Sequence, residues 1–503
     1  MRTKKALYNI ISQMSYEVVA TVCALILPRL ILSAYGSSYN GVVASITQFL
    51  DYISFLTLGI SGATRVAIYK AKATDDIRNI SAVLKSTENY MRKVAYAFIV
   101  YLLFLIVVYP MIVQKEFAWF DVASLVIIIG LGTFAEYFFG ITYRTFLMAD
   151  QSNYIYNVIQ IFSKIGNTLI SVLLINMGQS IQVVKLGSAI CFVAAPIILN
   201  YIVRKKYKII TDIEPDETAL QQRNDVMAHS IANCIHQYIG IFLLTFFSST
   251  SIISVYSIYG LVLGSLQKLQ VVFTTGLEGA FGELWARGEK AKFEKNFSIF
   301  EFFIFSFASI VFACTLVLIL PFVKLYTKGI HDVNYILPIY ASIAILAQIF
   351  FCIRAPYLIA TQAAGKYKET KKGAFIEAFL NLMVSFIGVL KFQIIGVALG
   401  LCVANAFRTV QYAVFLSKNI LNRSMLVFFK RVFWLCFNVV SIVTVFDVFL
   451  FWNIDDWNVW IFSAIILVLS STVFTTISAY FFFNQEFMGL FDVLKRMLSR
   501  KRK

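Results

Sequence analysis

Two charged residues, Asp51 and Lys268, stand near the middle of long apolar stretches, and each has small and polar residues in helical register with it. At 100° per residue, Thr47, Gln48, Asp51, Ser54, Gly62 and Arg65 fall on one stripe, and Ser257, Gly264, Ser265, Lys268, Thr275, Gly279 and Gly282 on another. A charge at the centre of a bilayer costs at least about 2.5–3.5 kcal/mol on insertion scales, so such stripes face a partner or a wet cavity. Two readings stay open. Asp51 and Lys268 either form a structural ion pair between packed helices, or they line a polar lumen that binds an anion. Arg29 follows Pro28 and either binds an anion or snorkels to headgroups, whereas Lys164, beside Gly166 and Asn167, lies too deep to snorkel easily. For Arg65 snorkelling is the favoured reading, and for Arg354 and Arg408 pairing or snorkelling. Glu17, Glu136, Glu278 and Glu377 could carry a coupling proton or sodium ion, with ion pairing preferred for most of them. His236 reads as a hydrogen-bonded packing residue before it reads as a proton relay.

The elements that must position these residues are membrane helices. Of 503 residues, 59% are hydrophobic and only 14% charged, a composition that a soluble chain of this size could not cover. Hydropathy and breaker residues place fourteen spans at 8–32, 41–69, 93–113, 120–146, 154–177, 181–203, 229–250, 252–285, 299–322, 334–360, 373–391, 394–417, 430–451 and 459–483. The expected fold class is an all-α polytopic membrane protein.

A formal charge of +17 raises the question of nucleic acid, and its placement excludes it. Lys and Arg crowd into alternate loops and both tails, while the predicted outer loops hold only Lys115, Lys324, Lys328 and Lys391. By the positive-inside rule both termini are expected in the cytoplasm of a bacterial inner membrane. The N-terminal Met-Arg-Thr-Lys-Lys and the apolar run behind it are read as an uncleaved first helix, because Glu17 and Pro28 interrupt the run and no A-x-A pattern follows. Seven cysteines scattered through apolar spans, with no CxxC pair, read as small buried hydrophobes. There is no HExxH, GxSxG or P-loop and no extramembrane stretch long enough for a catalytic domain, so neither an enzyme nor a cofactor is expected. The C-terminal segment 484–503 combines an apolar helical face (Phe487, Leu490, Phe491, Leu494) with Lys495 and Arg496, and is expected to lie on the anionic inner leaflet.

Gly59-Ile60-Ser61-Gly62-Ala63 recurs as Gly276-Leu277-Glu278-Gly279-Ala280, an offset that equates span two with span eight and Asp51 with Lys268. Two parallel repeats follow from it: an N-terminal lobe at 1–203, a cytoplasmic linker at 204–228 and a C-terminal lobe at 229–417, then an extra helix pair at 418–483.

The stretch from Tyr35-Gly36-Ser37-Ser38-Tyr39-Asn40-Gly41 through Gln48-Phe49-Leu50-Asp51-Tyr52-Ile53-Ser54 to Leu58-Gly59-Ile60-Ser61-Gly62-Ala63 resembles the start of Wzx-type polysaccharide flippases. These belong to the multidrug/oligosaccharidyl-lipid/polysaccharide (MOP) exporter superfamily. The resemblance implies two six-helix lobes in a MATE-like fold, alternating access, and export of an undecaprenyl-pyrophosphate-linked oligosaccharide, with membrane lipids as the other partner. Spans thirteen and fourteen fit the larger members, in which an extra helix pair forms a groove for the lipid tail. Only the cationic character of spans one, two and eight, here Arg29, Arg65 and Lys268, transfers to single residues. A monomer is expected. The residues fit the same substrate: cations suit a pyrophosphate, Gln48 and Ser54 suit a glycan, and apolar surface suits a polyprenyl tail. The runner-up is a MATE-like multidrug or metabolite exporter, for which an acidic or aromatic lumen with few cations would be expected.

Overall fold

The computed structural model describes residues 2–57, 59–73, 76–207, 209–210, 212–216, 238–274, 277–449 and 454–500. His236, read above as a packing residue before a relay, the start of span seven, Thr275 and most of the expected linker lie outside them. All the regular structure described is helical: α1 (Arg2–Asp51), a 3-10 turn (Tyr52–Thr57), α2 (Ile60–Ala73), α3 (Ile77–Val113), α4 (Trp119–Ala135), a π turn (Glu136–Gly140), α5 (Ile141–Ala149), α6 (Tyr154–Asn176) and α7 (Ile181–Lys206). The chain continues with α8 (Tyr238–Phe247), α9 (Thr250–Thr274), α10 (Leu277–Ala286), α11 (Lys290–Tyr326), α12 (Pro338–Ala363), α13 (Tyr367–Phe392) and α14 (Ile394–Asn419). It ends in α15 (Leu426–Phe449), α16 (Trp457–Phe482) and α17 (Asn484–Arg500).

Among the described residues, twelve helices are long and apolar enough to cross a membrane. Helix α1 has 50 residues, about 75 Å at 1.5 Å per residue and more than twice the hydrocarbon thickness, so it accounts for two of the expected spans. The two parts meet at Gly36, whose φ of 85° and ψ of 177° interrupt the helix in a region open to glycine. Helix α8 is the described part of the seventh span. Span two, expected as a continuous helix, is instead broken by the 3-10 turn and Gly59 (φ 84°), while span eight is described as α9 up to Thr274 and α10 from Leu277. The first copy of the repeated motif accordingly stands where a new helix begins, α2 at Ile60. The stripe drawn from Thr47 to Arg65 therefore ends near Ser54, and Gly62 and Arg65 ride on α2. The predicted loop before span three is also helical: α3 begins at Ile77, capped by Asp76, whose side chain accepts the Asn79 N–H.

The chain packs as two units. The first comprises residues 1–257 with 329–333, and the second 258–328 with 334–503. In the first, α1 lies on α6, α6 on α7, and α4 on both α3 and α7. The second half of α1 also meets α8 and the start of α9 so closely that a Cβ on Gly41 would fall 1.7 Å from the Thr250 carbonyl oxygen. Hydrogen bonds fix that contact: Asn40 donates to Ser254 (2.8 Å), the Ser45 and Thr245 hydroxyls share a proton (2.7 Å), and Glu116 accepts the Thr250 N–H (3.1 Å). Asp332 accepts from the Ser37 N–H (2.7 Å) and hydroxyl (2.5 Å), capping the helix that restarts after Gly36.

At the basic end of the first unit, Asp150 gathers Lys5 (2.9 Å), Lys72, the Ser152 hydroxyl (2.6 Å) and the Tyr207 hydroxyl (2.8 Å). Burial alone would raise its pKa, but hydrogen bonds from Lys72, Ser152, Lys5 and Tyr207 outweigh burial and hold the carboxyl below the usual carboxylate range. A depressed carboxyl contributes stability that is complete above its ordinary pKa and is lost as pH falls through the folded value. Asp150→Asn is therefore expected to cost about 1–2 kcal/mol at neutral pH, discounted because both lysines are partly exposed, and to flatten the loss of stability below about pH 4. Thermal melts of the purified protein at pH 7 and pH 4 read both effects.

In the second unit, α11 packs against α12, α15 and α16, and α14 against α12 and α13. The α13–α14 hairpin turns at Gln393 (φ 48°) and closes on glycine: a Cβ on Gly396 would lie 2.0 Å from the carbonyl carbon of Gly388. Only small residues allow helices so close.

Candidate substrate site

In the first unit the break in span two generates the site. Asp51 is the last residue of α1, and a helix that ends at membrane depth frees carbonyls that hydrocarbon cannot satisfy. Side chains take several of them: the Tyr101 hydroxyl donates to Phe49 O (2.8 Å), Tyr90 to Leu56 O (2.8 Å), and Thr57 to Ser54 O (2.8 Å). The Phe49 and Tyr52 rings pack at a tilt, 5.2 Å between centroids, and brace the turn, and the Tyr52 hydroxyl donates to Tyr238 O (3.3 Å) on α8. Three polar groups are left at the break. Among the described residues the exposed Asp51 side chain forms no ion pair or hydrogen bond, and Gln48 Nε2 and Ser54 Oγ are buried without a hydrogen-bond partner. Buried unsatisfied donors at a helix break mark a place where a polar ligand or water belongs.

The other first-unit residues are held differently. Arg29 is half-buried in the first half of α1. Lys164 sits with its ammonium 5.0 Å from the centre of the Phe192 ring, a cation–π contact between α6 and α7. Arg65 donates its Nε–H to the Ser61 carbonyl on its own helix (3.2 Å). Glu136 opens the π turn, with a carboxylate oxygen 2.7 Å from where a Cβ of Gly140 would lie, and it feels the charge of Arg144, which stacks on Tyr156 at 4.7 Å. Glu17 accepts from Gln13 on the same helix (2.9 Å).

In the second unit Lys268 stands at the midpoint of the span Thr250–Ala286. It is exposed and, among the described residues, forms no ion pair or hydrogen bond. Its neighbours are fixed: Gln267 donates to Gln348 (2.8 Å) and Gln270 to Cys352 O (3.2 Å), which sets the rotation of α9 against α12. Around it Gly260, Gly264 and Gly279 have nothing within 4 Å of a built Cβ, so this side of α9 and α10 is open.

The remaining intramembrane cations are structural. Arg354 and Arg408 share Glu377, at 2.6 and 3.3 Å, and Arg408 also donates to Thr370 O and the Gln411 and Tyr412 side chains. Sequence reasoning missed a second network. Glu301 of α11, 0% exposed, binds Arg423 (2.5 Å) and Arg431 (3.3 Å) and accepts the Tyr357 hydroxyl, and Arg431, 1% exposed, reaches on to Glu486 of α17 (3.0 Å). Its signal was available: a carboxylate and a guanidinium each stand just inside an apolar span, at the edge called loop. No cluster of three metal-ligating side chains occurs among the described residues.

Solved structures share this architecture. The chain aligns with lipid II flippase MurJ in its inward closed conformation at a TM-score of 0.70 and 15% identity, over 94% of this chain and 98% of that one. The chain shares the fold of that structure. A multidrug resistance MATE family transporter of the MOP superfamily aligns at 0.61 in its inward-facing conformation (13% identity, 82% of this chain, 98% of that one) and at 0.56 in its outward-facing conformation (14%, 83%, 96%). No family model matches the sequence, and no curated protein matches it. The expected all-α, MATE-like polytopic fold is thus what the chain adopts.

Proposed function

We propose that the protein carries a lipid-linked oligosaccharide, held on a polyprenyl pyrophosphate, from the inner to the outer leaflet of a bacterial cytoplasmic membrane by alternating access. The observation that carries this reading is Lys268: a cation at mid-span, exposed on an open face and unspent among the described residues. A pyrophosphate is the matching charge. Gln48, Asp51 and Ser54 supply donors and an acceptor for sugar hydroxyls at the break in span two, and Arg29, Arg65 and Lys164 are further cations of the proposed path. Coverage supports the flippase over the drug exporter. The flippase comparison extends over 94% of the chain and the exporters over 82–83%, leaving in the latter case a remainder the size of a helix pair. In the proposed lobes 1–203 and 229–417, that pair is 418–483. Glu136 beside Arg144, together with Glu17, is the place to look for a coupling proton or sodium ion.

Proteoliposomes loaded with a polyprenyl-pyrophosphate oligosaccharide test the proposal. Protein-dependent exposure of the glycan to an impermeant lectin is the expected result. Protein-dependent efflux of an organic cation without glycan exposure would favour the multidrug reading instead. In the same assay Asp51→Asn, which keeps a hydrogen-bonding group, is expected to retain most activity and Asp51→Leu to lose about tenfold. Orientation has its own test: a cysteine at Asn334, exposed between α11 and α12, should react with an impermeant maleimide on intact cells, and one at Arg78, exposed at the start of α3, should not.

A further inference from the structure

Helix α17 is clamped to the second unit at its first turn. Glu486 accepts from Arg431 (3.0 Å) and from the Ser298 hydroxyl (3.2 Å), and Gly489 lies so close to Ile299 that a Cβ there would stand 2.9 Å from Cδ1. Beside this clamp, α11 and α17 enclose a cavity of about 300 Å³. Lys292, Lys295 and Asn296 of α11 form one wall, and Asp492 and Val493 of α17 the other. Lys292 is shared with Glu289 (2.6 Å), but the side chains of Lys295, Asn296 and Asp492 make no hydrogen bond or ion pair among the described residues. The cationic wall begins at Lys292, in the first turn of a 37-residue helix.

The two walls want opposite charges. A lone phosphate would meet the Asp492 carboxylate, and a lone cation would meet the lysines. A ligand with a phosphodiester on one side and a hydrogen-bonding ammonium on the other satisfies both. The volume is at the small end of ligand pockets, the size for a headgroup and not for a whole lipid. Acyl chains have a continuation: Ile299 and Val493 line the cavity, and Met488 and Phe491 of α17 are 49% and 57% exposed on the same amphipathic helix. We propose that the cavity between α11 and α17 binds the phosphoethanolamine headgroup of an ethanolamine phospholipid, with the phosphate on Lys295, Lys292 and Asn296 and the ammonium on Asp492. The charge-assigned cytoplasmic side makes this an inner-leaflet lipid.

The test is native mass spectrometry of the purified full-length protein titrated with ethanolamine, choline and glycerol phospholipids of identical acyl chains. Ethanolamine lipid should be retained at least about fivefold over choline lipid, whose quaternary ammonium cannot donate a hydrogen bond to Asp492. Asp492→Asn should remove that preference while keeping binding of the anionic glycerol lipid. Lys295→Ala should weaken ethanolamine and glycerol lipids alike, with Lys295→Arg restoring both. The thermal melt reports whether each variant is folded, since the Arg431–Glu486 clamp is untouched. Equal retention of all three lipids, or a headgroup preference unchanged by Asp492→Asn and Lys295→Ala, would overturn the proposal. Soluble O-phosphoethanolamine held as tightly as the lipid would overturn the lipid assignment.

Discussion

Glu301→Gln is expected to be the most destabilising conservative change in the second unit, costing about 3–5 kcal/mol. The carboxylate is fully buried, accepts hydrogen bonds from Arg423 and the Tyr357 hydroxyl, and pairs with the Arg431 guanidinium at 3.3 Å. Glutamine keeps the volume and removes the charge. Arg431, itself 1% exposed, would keep its hydrogen bonds to Ser298 and Glu486 but only Glu486 as a counter-charge among the described residues, and a buried guanidinium short of counter-charge is what makes breaking such a pair so costly. Because the network joins α11, α12, α15 and α17, the loss should appear as earlier detachment of the last helices. Protease cleavage near α15–α17 should quicken along with a lower melting temperature. Pairing Glu301→Gln with Arg431→Met should recover part of the loss, since the stranded charge goes with it. If Glu301→Gln melts within about half a kcal/mol of the parent, the network is a surface-like pair in energetic terms and the buried geometry is misjudged.

The fold was legible in the sequence because hydrophobic length is a strong signal: a helix must satisfy its own backbone to cross lipid, so apolar runs translate directly into spans. What the runs concealed were the interruptions. Gly36 joins two spans into one long bent helix where a loop was expected, because a single positive-φ glycine and an external cap, Asp332, are enough to redirect a helix without leaving it. Span two read as continuous through Tyr52–Thr57, because phenols from α3 satisfy the freed carbonyls and none of those partners is near in sequence. Among the cations, depth alone could not separate ligand from strut. Arg354 and Arg408 converge on Glu377 from three helices, and Lys164 meets Phe192 across two; such meetings are set by helix rotation, which a wheel of one helix does not contain.

Lys268→Ala is expected to abolish export while leaving the protein inserted and folded. The ammonium stands at the midpoint of its span on a face where Gly260, Gly264 and Gly279 leave room, and none of the described residues takes its hydrogen bonds. Holding an unspent charge at that depth costs at least about 2.5–3.5 kcal/mol on insertion scales, a cost that a pyrophosphate would repay on arrival. A charge-assisted hydrogen bond contributes about 1.5–3 kcal/mol, so its removal should weaken substrate binding by at least about tenfold. Alanine adds no strain, because the rotation of α9 is held by Gln267 on Gln348 and by Gln270 on Cys352 O. Lys268→Arg should keep part of the activity, since the charge remains while the compact donor becomes a planar fork. The measurement is surface polysaccharide in a strain lacking other flippases, with membrane levels of each variant determined in parallel. Full surface polysaccharide from Lys268→Ala at normal level would remove Lys268 from the substrate path. The anion contact would then have to come from another cation of the proposed path, with Arg29, half-buried beside Pro28, the first to replace.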